Sequence, residues 1–519
     1  MDEAHPIPNL DSTKREVEVK FTCDPAIFPK LVVLLGSKAT AVRVRTLHST
    51  YFDTAGFALN HAGVSLRMRT GESGKKLWCI KAAGEKTASL FTRTQIEVQD
   101  QAKRSVAEQF DGDTGDWLAA LVDGEALVPQ FTVDVRRQQL LIEHLGATIE
   151  IAMDEGQVNR EAESRPFTEL ELELKSGDER SLLDFARFIA GELALALNFT
   201  TKADRGFGLA LPRGPKRQMA RPLASLSGLS FGPAIARSGA NALDNFTRNW
   251  AALLRGRDPE AIHQSRVALR KFRDLTGLYN DACPHPDFGK VQNNAKDFGK
   301  VIGMVRNLDV FLKAMAHFHT VPDIDPQGLA AVGVIVDRHH ARACENVRLA
   351  IRNDALTQFV LKAQEQILQC DAMAHACGEG GLEAPMPAAA QASVILGRLH
   401  HDMLKAGRGF SKLSRKRLHA LRLQAKEMRT ATDFFARVAD CDLKVSRYVK
   451  ALEALQKALG KYNDSRFALH FLKALSQEAS PEVATCIQKI RRDLKGFDKR
   501  ERQELPRIWK KFKNSDPCW

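Results

Sequence analysis

The sequence predicts an α+β protein with two structurally different parts, a β-rich N-terminal part and an all-helical C-terminal part. The chain of 519 residues is long enough for several domains. Short segments of the first 210 residues alternate polar and apolar side chains with a period of two, which is typical of strands. From about residue 231 the apolar residues follow a helical period instead. A hydrophobic fraction of 44% with 27% charged residues excludes a wholly disordered chain.

The strand-like alternation recurs in six segments of the first part. They are residues 16–21, 66–69, 77–81, 91–98, 148–151 and 169–174. Turn-forming residues separate them, and helical interruptions are expected at about 24–36, 103–123 and 179–196. These patterns predict an antiparallel β-rich domain with a few helices.

The charge is distributed unevenly between the two parts. The formal net charge of +13 divides into −7 for residues 1–210 and +20 for residues 211–519. The basic part predicts a polyanionic partner, either a nucleic acid, an anionic membrane or polyphosphate. No apolar run is long enough to span a membrane, no secretory signal is present, and the nine cysteines form no CxxC pair. We therefore expect a cytoplasmic protein without a disulfide framework or zinc site.

The helical part contains an internal repeat. The pattern His263-x2-Arg266-x3-Arg270-x2-Arg273 returns 156 residues later as His419-x2-Arg422-x3-Lys426-x2-Arg429. Residues 302–307 and 459–464 form a second repeated element. Each basic set lies on one stripe of a helix and contains no acid, which a solvated surface would normally include. The repeat predicts two helical bundles of similar plan, and the domain plan is 14–210, a linker at 211–227, and 228–515.

Charged residues on one face of several strands indicate the chemistry of the first part. Glu16 and Glu18 share a strand face, as do Arg67 and Arg69. If such strands close into a barrel with these faces inward, carboxylates for a hard divalent cation lie beside cations for phosphate oxygens. No GxxxxGK[ST] loop is present, which excludes a P-loop enzyme.

These residues resemble the CYTH superfamily, the triphosphate tunnel metalloenzymes. The pattern Glu16-x-Glu18-x-Lys20 is similar to the family's ExExK signature, and the likeness continues through residues 51–54, 66–69, 149–156, 169–173 and 201–206. One departure is Gln95, where the family pattern usually has Glu. The resemblance implies an eight-stranded antiparallel tunnel that hydrolyses or rearranges triphosphates with Mg²⁺ or Mn²⁺.

The same resemblance implies roles for individual residues. Glu16, Glu18, Lys20 and Glu171 would be catalytic, with water attacking the terminal phosphorus. The metal ligands would be Glu16, Glu18, Asp154, Glu169, Glu171 and Glu173. The phosphate-binding residues would be Lys20, Arg67, Arg69, Lys81, Arg93, Arg137 and Lys202. Arg136 and Arg137 point to opposite faces of a strand, and which of them lines the tunnel stays open.

The repeated basic stripe resembles the CHAD domain, which is often found behind a CYTH domain. That resemblance implies a basic groove between two four-helix bundles that binds polyphosphate. The implied binding residues are His263, Arg266, Arg270, Lys271, Arg273, His419, Arg422, Lys426 and Arg429. One departure is Arg306-Asn307, where the family generally has Arg-Asp.

The leading hypothesis is hydrolysis of tripolyphosphate to pyrophosphate and phosphate, with tripolyphosphate and longer polyphosphate as partners. Alternatives that use the same charged lumen are a class IV-type adenylate cyclase and a nucleoside or thiamine triphosphatase. A non-catalytic polyphosphate-binding protein that associates with polyphosphate granules is a further alternative, although binding alone would not need repeated Glu. The basic stripes lack interleaved aromatic residues, which argues against a nucleic-acid binder.

Overall fold

A computed structural model describes residues 15–519 apart from 72–73, 84–91, 102–104, 111, 212–218, 224, 256–257, 285, 377–386, 440–446 and 518. The chain forms two compact units. The first comprises residues 1–217 with 250–252 and 351–365, and the second comprises the remaining residues. Much of the expected linker at 211–227 lies outside the described residues.

The first unit is built on one antiparallel sheet that closes on itself. Its strands are β1 (Arg15–Thr22), β2 (Ala39–Asp53), β3 (Val64–Thr70), β4 (Lys76–Ala83), β5 (Thr92–Gln99), β6 (Val128–His144), β7 (Ala147–Arg160), β8 (Glu163–Ser176) and the short β9 (Ala196–Leu197). The order is β5-β4-β3-β2-β6-β7-β8-β1-β9, and β5 also pairs with β1. Strands β1 to β8 therefore form a closed eight-stranded barrel, as the family resemblance implies.

Helices cover the outer face of this barrel. They are α1 (Ile27–Leu35), α2 (Ala58–His61), α3 (Asp113–Val122), α4 (Glu179–Leu193) and α5 (Lys202–Ala210). On β1, Val19 and Phe21 are buried on the outer side, while Glu18 and Lys20 are buried on the inner side. Because both faces are buried, the inward charges are removed from bulk water and must be paired.

Strands β2 and β6 were missing from the sequence-based assignment, although they are the two longest strands and pair along most of their length. Two causes are visible. The β2–β6 register shifts between Thr40 and Arg43 and again between Tyr51 and Phe52. In β6, the consecutive polar residues 136–139 break the alternation on which the assignment depended.

The second unit is helical, as predicted, and its helices repeat in order. They are α6 (Phe231–Thr247), α7 (Trp250–Arg255), α8 (Pro259–Ala282), α9 (Pro286–Phe318), α10 (Pro326–Ile351), α11 (Asp354–Ala376), α12 (Ala392–Ala406), α13 (Arg415–Val438), α14 (Arg447–Glu478) and α15 (Pro481–Lys513). Residues 250–252 of α7 and 354–365 of α11 belong to the first unit. The set α6, α8, α9, α10 corresponds to α12, α13, α14, α15. The bounds of α8 and α13 differ by 156 residues at both ends, which is the displacement of the sequence repeat.

No helix in the described part of the chain is both long enough and apolar enough to cross a lipid bilayer.

Candidate functional site

The interior of the barrel contains a cavity of about 240 Å³. Side chains from all eight strands of the barrel and from the start of α5 line the cavity, and most of them are charged or polar. The charged lining residues are Glu16, Lys20, Arg67, Arg69, Lys81, Glu97, Arg137, Glu150, Glu171, Glu173, Lys175 and Lys202. Because each strand contributes alternate residues, the period-two charge pattern becomes one continuous polar lumen.

A cluster of three buried carboxylates lies on neighbouring strands of this lumen. Asp154 on β7 pairs in register with Glu169 on β8, and Glu171 lies two residues further on the same face. One oxygen atom from each carboxylate lies within 4.8 Å of the others. The ammonium group of Lys202 contacts all three, at 2.8 Å from Asp154 and 3.0 Å from Glu171. Arg137 contacts the same cluster through two bonds to Asp154, of 2.7 and 2.6 Å.

Glu171 is the carboxylate on which most of the cations converge. Its oxygens accept from Lys20 and Arg137, each at 2.5 Å, and from Lys202. Burial alone would raise the pKa of Glu171, but these three cations hold it well below its usual range. Glu171 is therefore ionised at neutral pH.

The β1 residues of the ExExK pattern face the same lumen, each beside a cation. Glu16 accepts from Lys81 at 2.7 and 3.0 Å. Burial opposes ionisation of Glu16, yet Lys81 and Lys20 lower its pKa to about 2. Glu18 lies 3.1 Å from Lys20.

The wall formed by β3 carries positive charge with little compensation. Arg67 donates to the Tyr51 hydroxyl at 3.4 Å, and Arg69 lies 3.9 Å from Glu97. The Nε atoms of both arginines are buried without a hydrogen-bond partner among the described residues. Repulsion from Arg67, followed by burial, lowers the pKa of Arg69 to about 10. This wall is suited to an incoming anion.

Lys202 owes its position to the first turn of α5. Thr201 and Asp204 form a capping box that fixes the helix start. Gly206 lets the same helix approach the barrel closely, since a Cβ atom there would lie 1.9 Å from the ring of Phe131. A larger residue at position 206 would displace the helix that carries Lys202.

The structure places most of the predicted tunnel residues around this one lumen. It puts Arg137 inside, while Arg136 lies outside and 56% exposed beside Glu155. Glu173 lines the cavity beside Lys175 at 2.7 Å, and burial raises its pKa despite that pair. Arg93 belongs to β5, but its side chain lies outside the described residues.

Sequence reasoning missed Lys175, Glu150 and Gln139, which also line the cavity. Lys175 follows Glu169, Glu171 and Glu173 at the same spacing of two, so the alternation could have included it. Gln139 donates to Glu150 at 3.0 Å across the β6–β7 pair. That partnership depends on long-range register, which no local pattern provides.

The carboxylate cluster has the donor chemistry of a Mg²⁺ or Mn²⁺ site. Its three members offer only oxygen ligands, which hard divalent cations prefer. The Lys202 ammonium now compensates the same negative charge. The residues that could hold such a cation are Asp154, Glu169 and Glu171. Glu16 could join them, since it lies close enough to Glu171 for the charge of Glu171 to act on the pKa of Glu16.

In the second unit, the repeated basic stripes meet where α8 packs on α13. Asp274 and Thr430, which occupy equivalent positions in the two repeats, are hydrogen-bonded at 3.1 Å. Two further equivalent pairs repel each other, namely Arg266 with Arg422 and Arg270 with Lys426.

Among the other predicted members of the stripes, Arg273, Arg429 and His419 have local partners. Arg273 binds Asp274 at 2.7 Å, and Arg429 binds Glu453 and Asp433. Nδ1 of His419 lies 2.9 Å from Oδ1 of Asn463, whereas His263 has its pKa lowered by burial and by Arg306. Lys271 lies beside Arg437, and burial together with that charge lowers its pKa. The contacts therefore single out Arg266, Arg270, Arg422 and Lys426 as a common cluster.

Comparison with known proteins gives matches for both parts of the chain. The model of the CYTH domain matches residues 14–207, and the model of the CHAD domain matches residues 238–473. An inorganic triphosphatase from Haemophilus influenzae is 28% identical over 200 residues, which is 37% of this chain. The match spans 54% of that relative's length.

Solved structures also align with each part. The CHAD domain from the plant Ricinus communis aligns over 59% of this chain and 98% of its own, with 25% identity and a TM-score of 0.48. A Hippeastrum protein described as having a dominant triphosphatase activity aligns over 38% of this chain and 97% of its own, with 13% identity and a TM-score of 0.28. From the two family matches, the chain carries a CYTH domain followed by a CHAD domain.

Proposed function

We propose that the tunnel of the first unit hydrolyses inorganic triphosphate with a divalent cation, and that the second unit binds polyphosphate. The observation that carries the first part of the proposal is the division of the lumen into two walls. One wall presents Arg67 and Arg69 with few acidic partners. The other presents Glu171, which forms a buried carboxylate cluster with Asp154 and Glu169. A chain of phosphates needs cations along its length and a metal site beside it.

The residues of the tunnel suit distinct tasks in this reaction. Arg67 and Arg69 would bind and orient the phosphate chain, since guanidinium groups match phosphate oxygens bidentately. Lys20, Lys202 and Arg137 would hold the carboxylates ionised in the absence of substrate. A divalent cation bound by Asp154, Glu169, Glu171 and Glu16 would supply electrostatic stabilisation of the phosphoryl oxygens.

The lining favours inorganic triphosphate over a nucleotide. Among the described lining residues the single aromatic side chain is Tyr51, and its ring stacks on Phe131 while its hydroxyl group accepts from Arg67. Tyr51 is already packed on Phe131, and no second aromatic side chain is present among the described lining residues. The lining therefore offers no pair of aromatic rings between which a base could stack. The relation to an inorganic triphosphatase supports the same choice.

The cationic cluster of the second unit supports polyphosphate binding. The Nε atoms of Arg270 and Arg422 are buried without a hydrogen-bond partner among the described residues. Buried donors that lack partners are costly, and a phosphate oxygen would satisfy them. The net charge of +20 for residues 211–519 adds long-range attraction for polyanions.

The decisive experiment measures phosphate release from tripolyphosphate, ATP and thiamine triphosphate in parallel, with and without Mg²⁺ or Mn²⁺. We expect metal-dependent release with tripolyphosphate as the preferred substrate. Preference for ATP with pyrophosphate as the product would favour a cyclase instead. Binding of all three without turnover of any would favour a non-catalytic protein.

A further inference from the structure

The cluster formed by Arg266, Arg270, Arg422 and Lys426 holds four basic side chains at the contact of two helices. Equivalent positions of α8 and α13 meet there, as the hydrogen bond between Asp274 and Thr430 shows. All four side chains are partly buried. Like charges at such a contact repel each other strongly, because burial reduces screening by water.

Few acidic groups relieve this repulsion. From α8, Lys426 faces Arg266, Arg270 and Asp274, and from its own helix it faces Arg422. Asp274 is already engaged by Arg273 at 2.7 Å and by Thr430.

The other helices packed against α13 contribute few charges that act on the amine of Lys426. From α14, Asp464 acts on Arg266 and Arg422. From α12, Arg398 acts on Glu427, the neighbour of Lys426 in α13. No acid of the described chain forms an ion pair with Lys426.

A lysine can relieve such a cluster by losing its proton, whereas an arginine keeps its charge. Burial and the charges of Arg422, Arg270 and Arg266 lower the pKa of Lys426 to about 7. Near neutral pH, a large fraction of the free protein therefore carries this amine uncharged, with its lone pair available.

We propose that binding of polyphosphate to this cluster is coupled to uptake of one proton by the amine of Lys426, so that affinity rises as the pH falls. The bound anion brings negative charge next to the four side chains. This charge offsets the repulsion from the arginines and raises the pKa of Lys426, so the amine takes up a proton. The proton comes from solvent and adds to the nitrogen lone pair, and no other bond changes. This inference rests on the proposed binding of polyphosphate by the second unit.

The size of the effect follows from proton linkage. With the free amine titrating at about 7, about nine-tenths of the free molecules lack this proton at pH 8, so binding takes up about 0.9 proton. The affinity then falls by close to tenfold for each pH unit above about 8, and by less below it.

The test uses the full chain in EDTA, with long-chain inorganic polyphosphate as the probe. Calorimetric titrations at pH 8 in two buffers of different ionisation enthalpy give the number of protons taken up. The informative variant is Lys426→Arg, which places at position 426 the residue found at the equivalent position 270 and keeps a fixed charge. Exposed Lys510→Arg is the matched control.

We expect the wild type and Lys510→Arg to take up about 0.9 proton more than Lys426→Arg, with Lys426→Arg still binding. The difference between variants cancels protons that the polyphosphate or the tunnel contributes. Equal proton uptake in wild type and Lys426→Arg would overturn the inference while leaving polyphosphate binding in place. Absence of binding by the wild type would instead refute the proposed function of the second unit. Lys426→Met also lacks a titrating amine at this position and should match Lys426→Arg in its proton count.

Discussion

Glu16→Gln separates the structural from the functional role of the β1 carboxylates. The family resemblance gives Glu16 a catalytic and metal-binding role, so we expect that loss of this carboxylate removes most activity. The structure adds a cost to stability, because Glu16 is the ion-pair partner of the half-buried Lys81 at 2.7 Å. Gln keeps the size of the side chain but leaves the ammonium group of Lys81 without its charged partner.

The magnitude follows from the pKa of Glu16. The value lowered from 4.5 to about 2 corresponds to about 3 kcal/mol of folding free energy at neutral pH. This contribution is complete above pH 4.5. It is lost as the pH falls from 4.5 to about 2, because the unfolded chain takes up a proton that folded Glu16 does not bind. The stability difference between wild type and Glu16→Gln should therefore be constant from pH 5 to pH 7 and shrink below 4.5.

The assay combines denaturant unfolding of the variants with phosphate release from tripolyphosphate. The double variant Glu16→Gln with Lys81→Met removes both charges and should recover much of the lost stability, because no buried ion is left unpaired. It should not recover activity. The control Glu155→Gln removes an exposed carboxylate on the outer face and should change neither property. Full turnover by a folded Glu16→Gln variant at saturating Mg²⁺ would refute the catalytic assignment.

Three further predictions address the other groups of the two sites. Arg67→Ala should lower kcat/KM by roughly 10- to 150-fold, through both KM and kcat, since it removes a charge-assisted contact of about 1.5–3 kcal/mol; a change in melting temperature alone would make Arg67 structural. Lys202→Met leaves three carboxylates within 4.8 Å of one another, so its melting temperature should fall and should be restored by Mg²⁺ or Mn²⁺ more than that of the wild type; an equal response to metal would contradict the assigned cluster. Reversing charge at Arg266 and Arg422 together should weaken polyphosphate binding and flatten its salt dependence far more than reversing charge at the exposed Lys510 and Lys511 together, as a salt titration would measure; equal losses would mean that diffuse charge does the binding.

The sequence predicted the chemistry of the tunnel better than its geometry. Alternation in β1 and β8 identified Glu16, Glu18, Lys20 and Glu171 as residues of one face, because the period of a strand is local information. It could not show that Lys20 and Glu171 pair at 2.5 Å, since their positions are 151 residues apart. Nor could it choose between Arg136 and Arg137, because two adjacent arginines satisfy either phase of the alternation.

In the helical unit, the repeat carried more spatial information than its individual residues did. A displacement of 156 residues predicted two similar bundles, and the same displacement relates Asp274 to Thr430, which meet in the structure. When equivalent helices pack on each other, a stripe of cations in one repeat is brought against the same stripe in the other. The repeated stripes in the sequence therefore already included all four residues of the cationic cluster. The contact of α8 with α13 turns two moderately basic helix faces into one site whose charge depends on its ligand. An arginine at position 426 would make that charge permanent. Proton linkage therefore depends on the one difference between these equivalent positions, which is arginine at 270 and lysine at 426.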